Sequence, residues 1–478
     1  GMKIAVLDEP QLEFGGGSRH IDPRSGITNY GPADAADTKV RTIRAAIVGT
    51  QEAIEGVRGW LDRCREPIAA KLSHLSHYYV PFPGFDTSVG YRSTIVINSR
   101  LERRINRRAL NEIVGLKPAE AIQRAVDLYD AELAALDEEP QCDVVIVCKP
   151  EALPERGEPI EDPERPWKES KPAPLGFDFH ELLKARSLRT TRPIQIVKRE
   201  TWDLTYKPED RDDRRPQQDE ATKAWNLHTA LYYKAGGVPW RMTRDNKDLT
   251  NCFVGVSFYR SIDGQSLQTS VAQVFNERGD GVIVRGAQAT ASRDDRQPHL
   301  TADDAKDLLE GSLARYRSEH RTLPARVMLH KTSSFTSEEL EGFHAAAESE
   351  HLDQLELLWL PREEPTRLFR IGEQPPLRGT MLSLNATRHI LYTRGAVPFY
   401  KTYPGMYVPN ALPFRMVDVD SSPERVAAEL LALTKMNWNA TQLDGKQPIT
   451  VRTADAIGSI LKHFGPTDRP APRYAFYM

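Results

Sequence analysis

His180 and Lys184 stand four residues apart in FHELLKA (Phe179–Ala185), a stretch whose apolar spacing predicts a helix. Residues at that spacing share one helix face, so an imidazole and an ammonium would project together. From Leu182 to Arg199 the chain has no acid and six basic residues: Lys184, Arg186, Arg189, Arg192, Lys198 and Arg199. Such a window suits a polyanion, because each cation near a phosphate adds charge-assisted hydrogen bonds. A solvated helix end explains it as well, since cations favour the C-terminal end of the helix dipole. Lys234 carries the same two readings. It lies in the last turn of a predicted helix, Ala221–Ala235, stopped by Gly236 and Gly237.

A search for carboxylates that could hold catalytic metal ions is negative. The apolar run in CFVGVSFYR predicts a buried strand, Phe253–Phe258, and its end carries Ser257 rather than an acid. A second strand, Arg326–His330, runs into Lys-Thr-Ser-Ser, with no acid before Glu338. Asp418 and Asp420 form a DxD, but Ser-Ser-Pro-Glu follows at once and reads as a helix start. Asp455 is a single acid on a late helix. One carboxylate cannot hold two metal ions for in-line phosphodiester cleavage, which needs several converging oxygen ligands. No GxGxxG after a strand, GxxxxGK[ST], HExxH or GxSxG occurs. Gly15–Gly17, the GDG at 279–281 and DPRSG (Asp22–Gly26) read as turns.

The elements that must position these groups alternate between helix and strand. Ala119–Leu136 reads as a helix, Cys142–Lys149 as a buried strand and Ile194–Val197 as a strand. A second block follows Trp240. It has strands at Phe253–Phe258, Ser270–Phe275 and Gly281–Arg285, a helix at Ala302–His320 capped by Thr301, and a capping box at Thr336 and Glu339. Strands at Leu355–Leu360 and His389–Thr393 and helices at Pro423–Lys435 and Thr453–Phe464 complete it. Between the early elements, Pro150–Pro174 holds seven prolines among charges and reads as a solvated insertion.

Bulk composition is that of an ordinary globular chain: 478 residues, 40% hydrophobic, 27% charged, net charge −3. That excludes a polycation, so any nucleic-acid contact must come from local patches. Four scattered cysteines without a CxxC pair fit a reducing cytosol and a cytoplasmic location. No apolar run approaches bilayer length, and GMKIAVLDEPQ does not read as a signal peptide.

Taken in order, FHELLKARSLRTTRPIQIVKRET, ALYYKAGGVPW, FVGVSFY, MLHKTSSF, LTKMNWN and ITVRTADAIG resemble the MID and PIWI domains of a prokaryotic Argonaute. EPQLEFGGGSRHIDPRSGITNYGP and FPGF resemble the opening of that family's short members, and the resemblance covers essentially the whole chain. It implies an α/β chain in which a Rossmann-like MID domain (1–240, with an N-terminal lead-in and the insertion 150–175) precedes an RNase H-like PIWI domain (241–478). It also implies a pocket for a guide 5′-phosphate, matched here by His180, Lys184, Gln195 and Lys234. Ala230 stands where eukaryotic relatives carry a further lysine. A divalent cation, Mg²⁺, held by the C-terminal carboxylate of Met478, would supply that charge.

For the PIWI half the resemblance implies a D-E-D-[D/H] ligand set. Ser257 and Thr332 match the first two acid positions taken from strand ends, Asp455 matches the last, and Glu277 is an insecure match for the glutamate. The expected protein is therefore not an enzyme. It would hold a guide RNA, pair it with single-stranded DNA of a plasmid or phage, and signal to a partner. That partner would be an APAZ-containing protein with a TIR or sirtuin-like NAD-consuming domain. An active guided endonuclease, or an α/β enzyme with a nucleotide site, is the alternative.

Overall fold

The computed structural model describes the chain except residues 37–40, 155–175, 209–216, 245–249, 276–280, 402, 404, 406–407, 444, 466–467, 470 and 472. Most of the proline-rich insertion, the NERGD turn and Glu277 therefore lie outside the described residues.

The first domain is built on four parallel strands in the order Ser93–Arg104, Arg41–Gly49, Val144–Cys148, Ile194–Val197. Val144–Cys148 is buried at every position, as a β-branched run in a sheet covered on both faces should be. Period-two alternation divides the neighbouring strand between two cores. Ile43, Ala45 and Ile47 meet Val57, Trp60 and Trp225, whereas Ala46 and Val48 meet Ile122, Val126 and Phe179. The sheet thus carries helices on both faces, a Rossmann-like arrangement.

The second domain is centred on a ten-stranded sheet. Gly281–Ala291, Leu267–Phe275 and Asn251–Arg260 pair antiparallel, then Arg326–Lys331 and Gln354–Trp359 continue in parallel. Alternation again sorts the core. Cys252, Val254 and Val256 pack with Leu309, Leu313 and Phe343 of helices Ala302–His320 and Ser337–Ser349. Phe253 turns to the other face, where helix Ile449–Leu461 lies. Gly255 fixes how close that helix comes: a Cβ there would stand 2.3 Å from the Thr450 carbonyl oxygen. Among the described residues no helix is long and apolar enough to cross a membrane.

Two readings from the sequence are corrected. DPRSG is no turn: it opens a helix, Pro23–Tyr30, because the Asp22 side chain accepts from Ser25 N and proline suits the first helical position. The N-terminal lead-in is not confined to the first domain. Lys3–Val6 pairs with Thr380–Ser383 at one end of the ten-stranded sheet, and Leu12–Glu13 pairs with Arg241–Met242. Glu9 fastens the crossing by meeting Arg378 (3.0 Å) and Lys435 (3.1 Å), two cations without exposed side-chain surface. The capping box at Thr336 and Glu339 and the Ser422 cap form as expected.

Gly255→Ala should destabilise the chain by about 1–3 kcal/mol, the usual cost of overpacking a tight contact. The denaturant midpoint measures it, and an unchanged midpoint would mean that the helix can retreat freely.

Candidate phosphate pocket and metal-ligand positions

Helix Phe179–Ser187 starts at Asp178, whose carboxylate accepts from Glu181 N at 3.0 Å. Its inner face buries Lys184, which is 1% exposed. The Lys184 ammonium donates to Ile194 O at 2.9 Å and to the Met478 oxygen. Lys234 arrives from the end of helix Glu220–Lys234 and is 3% exposed. It donates to the same Ile194 O at 3.0 Å and to Gln195 Oε1 at 2.6 Å. The helix stops there in a Schellman turn, with Gly236 N on Tyr233 O, Gly237 N on Tyr232 O and Gly236 at φ +96°. His180 stands at the rim, and all five residues line one cavity of about 250 Å³.

Two ammonium groups on one carbonyl oxygen make an unusual charge balance. Loss of water lowers the Lys184 pKa to about 7, and loss of water together with the Lys184 charge pushes Lys234 well below the ordinary lysine value. The two titrate as a pair, and burial with mutual repulsion pushes both downward. Desolvation and the Lys184 and Lys234 charges also push His180 below the usual imidazole range. Since its ring is open to solvent at the rim, the lysine charges are the better reason, and the imidazole is a neutral hydrogen-bonding group.

One pocket residue escaped the sequence reading. Lys223 lines the cavity together with Leu227, Ala230 and Lys234, a stripe at helical spacing on one face. Its ammonium donates to Glu200 O. That spacing was the available signal. The acid-free basic window, by contrast, is mostly consumed by structure. Arg186 meets Asp127 and Asp130, Arg189 meets Asp468, and Arg199 meets Glu52, Glu151 and Asp203. Arg192 donates to the carbonyls of Leu136, Glu139 and Cys142. Of the six basic residues in that window, Lys184 is the one that lines the cavity.

In the second domain the structure brings Ser257, Thr332 and Asp455 to one place. Thr332 N donates to Val256 O at 3.1 Å, which sets Thr332 beside Ser257 on adjacent strand ends. Helix Ile449–Leu461, admitted by Gly255, carries Asp455 to the Ser257 hydroxyl, which donates to its carboxylate. A residue that the sequence did not flag completes the set. Arg362 donates to both Asp455 oxygens, at 2.6 and 2.8 Å, and to Ser257 Oγ at 3.0 Å. A guanidinium thus stands against the one remaining carboxylate, where a divalent cation would need several. Among the described residues no group of three or more His, Cys, Asp or Glu side chains could hold a metal ion. Asp418 pairs with His344 at 2.8 Å, and Asp420 lies outside this cluster.

No family model matches the chain, and no curated protein does. Solved structures do. The chain is similar to Clostridium butyricum Argonaute bound to a guide DNA and a 19-mer target DNA, with TM-score 0.65 and 13% identity over 100% of this chain and 55% of that one. It is similar to Drosophila Piwi, with TM-score 0.61 and 13% identity over 99% and 56%. A third match is Aa-Ago with externally bound siRNA, with TM-score 0.57 and 14% identity over 99% and 56%. The fold is that of an Argonaute-like MID–PIWI pair. This chain spans about half the length of those structures.

Two measurements check the two centres. Lys184 has a folded pKa near 7 against an ordinary 10.5, so its charge opposes folding fully below pH 7 and that opposition fades as pH rises toward 10.5. Lys184→Met should therefore raise the thermal midpoint of the ligand-free protein most at pH 7 and below, with a shrinking gain at higher pH. A gain that grows with pH would contradict the charge assignment. At the other centre, Ser257→Asp alone should give no calorimetric Mn²⁺ binding, because Arg362 already occupies Asp455. Heat of Mn²⁺ binding gained by this single variant would refute that.

Proposed function

We propose that the protein is a short Argonaute that grips a guide strand by its 5′-phosphate and does not cut. The supporting observation is the Lys184–Lys234 pair: two buried ammonium groups that share one carbonyl oxygen and line one cavity with Gln195 and His180. A terminal phosphate is a dianion at neutral pH and offers three strong acceptor oxygens. Binding it would restore both lysines to their charged forms. Guide RNA then pairs with single-stranded DNA of a plasmid or phage. Pairing supplies sequence specificity while the protein holds backbone and shape.

The donors in the cavity also suit Mg²⁺, which is commonly held by one or two carboxylates together with substrate phosphates. Met478 would hold it, while the Gln195 and Asn226 amide oxygens accept from Lys234 and Thr441. When bound, the ion would add positive charge against the phosphate. The signal of a completed guide–target duplex passes to a second protein, an APAZ-containing chain with a TIR or sirtuin-like domain that depletes NAD. Arg362 on Asp455 speaks against the cutting alternative. A nucleotide enzyme would use the crevice where the first sheet reverses its strand order. There, Glu52 and Glu151 already neutralise Arg199, which disfavours a phosphate.

Fluorescence anisotropy with 5′-phosphorylated and 5′-hydroxyl RNA of one sequence tests the reading. The phosphorylated strand should bind roughly 10- to 100-fold more tightly, the worth of one or two charge-assisted hydrogen bonds. Lys184→Ala or Lys234→Ala should erase the difference, and a chelator should narrow it. Equal affinity for both strands in the parent protein would sink the assignment.

A further inference from the structure

The parallel sheet of the first domain ends at strand Ser93–Arg104, which pairs on one side with Arg41–Gly49. On its other side it has no strand neighbour among the described residues. Register divides its side chains between two clefts. Ile95 and Ile97 stand opposite Ile43 and Ala45, so they face helix Gln51–Arg63. Val96 stands opposite Arg44 and turns to the other face, where it is 46% exposed. Beyond Ile97 the register slips: Ala45 pairs with Ile97, but Ile47 pairs with Glu102. The regular part of the edge is therefore Thr94–Ile97. On the helix side, Leu61, Phe85, Ile95, Ile97 and His228 line a cleft of about 270 Å³, with exposed Asp62 and Arg65 also on its wall. Arg58, on the same wall, is held by Glu102. The buried His228 ring lies against Phe82 and Phe85, with centroids 5.2 and 4.9 Å away. Its Nδ1 stands 2.8 Å from Ala224 O, and a carbonyl only accepts, so Nδ1 carries the proton. Nε2 is then an acceptor, and it has no hydrogen-bond partner among the described residues. Burial lowers the imidazole pKa to about 4, which keeps the ring neutral. On the other face, Arg44, Val96 and Arg100 line a second cleft of about 400 Å³ with Glu139. The Arg44 and Arg100 side chains have no hydrogen-bond or ion-pair partner among the described residues. The nearby Asp143 carboxylate accepts from Arg44 N at 2.7 Å.

We propose that this edge takes an extended segment of a second protein as an added strand, with a tyrosine on one face and a carboxylate on the other. The inference stands apart from the guided reading above. An edge strand presents outward N–H and C=O groups, and a peptide laid along Thr94–Ile97 would pair with them. Side chains of the added strand alternate between the two clefts. A water needs only about 10–15 Å³ of such space, so the helix-side cleft has room for a whole side chain. Its walls are apolar and its unmatched group is an acceptor. A ring with a hydroxyl at its tip meets both conditions, since the phenol O–H would donate to His228 Nε2. On the opposite face Arg44 and Arg100 offer two guanidinium groups against the single lining carboxylate of Glu139, which suits an acidic side chain. The tyrosine and the acid must therefore lie an odd number of positions apart in the incoming segment.

The probe is a fluorescein-labelled hexapeptide, Thr-Val-Tyr-Glu-Val-Thr, titrated by anisotropy against the full chain. Its tyrosine and glutamate are neighbours, so they point to opposite faces of a strand. Binding should appear at or below about 1 mM, the range of a small interface. Replacing the peptide's tyrosine by phenylalanine should weaken binding roughly 3- to 10-fold, because one hydrogen bond to a buried acceptor is lost. His228→Phe in the protein should abolish that preference. Arg100→Glu should weaken the original peptide several-fold, and exchanging the peptide's glutamate for lysine should restore the loss. Thermal midpoints report whether the variants fold. Should His228→Phe fail to fold, the two peptides against the parent protein still decide. Equal affinity of the parent for the tyrosine and phenylalanine peptides would overturn the proposal, as would no binding of either. Self-association of the free chain that Arg100→Glu abolishes, without peptide binding, would put a second copy on this edge and overturn it too. Preference for a 5′-phosphorylated strand should be unchanged in both variants, so the peptide edge and the phosphate pocket fail separately.

Discussion

Two ammonium groups share one carbonyl oxygen, and the geometry around them depends on keeping them there. Lys184 is delivered by a helix capped at Asp178, Lys234 by a helix halted at Gly236, and the oxygen by an edge strand of a parallel sheet. The Met478 oxygen comes from the far end of the chain and closes the arrangement. Burying two like charges is unfavourable unless something compensates them. The fold tolerates the cost because hydrogen bonds hold both heads, and a bound dianion would remove it.

The second centre solves the opposite problem. A lone carboxylate at the close approach of a helix and a strand would be short of partners once metal ligands are missing. Arg362 supplies the countercharge from within the chain, bidentate and without loss of translational freedom. Gly255 sets the spacing between the strand and the helix at which Asp455 reaches Ser257.

Much of this was legible in the residues, for identifiable reasons. Caps and boxes are local, so Thr301, Thr336 and Ser422 could be read directly. Helical spacing placed His180 beside Lys184, and the same rule applied from Lys234 back to Lys223 would have found the missed lysine. What stayed hidden depends on distant contact. Arg362 lies 93 residues from Asp455, and nothing in LWLPREEP marks it as a cation with a designated partner. The strands Arg41–Gly49 and Ser93–Arg104 went unassigned because their charged residues interrupt the alternation, yet Arg103 finds Glu132, and Glu102 meets Arg58 of helix Gln51–Arg63. DPRSG misled because aspartate and proline serve turns and helix starts equally.

The placement of Lys3–Val6 bears on how the molecule is made. These residues are made long before Thr380–Ser383, the strand with which they pair. Glu9 likewise waits for Arg378 and Lys435. A chain with such pairings has high contact order and closes its largest loop late. During synthesis the first residues must remain unpaired while the four-stranded parallel sheet assembles. Met2, Ile4 and Val6 remain largely exposed even in the finished fold, so an apolar segment is open to solvent, or to a chaperone, for most of translation.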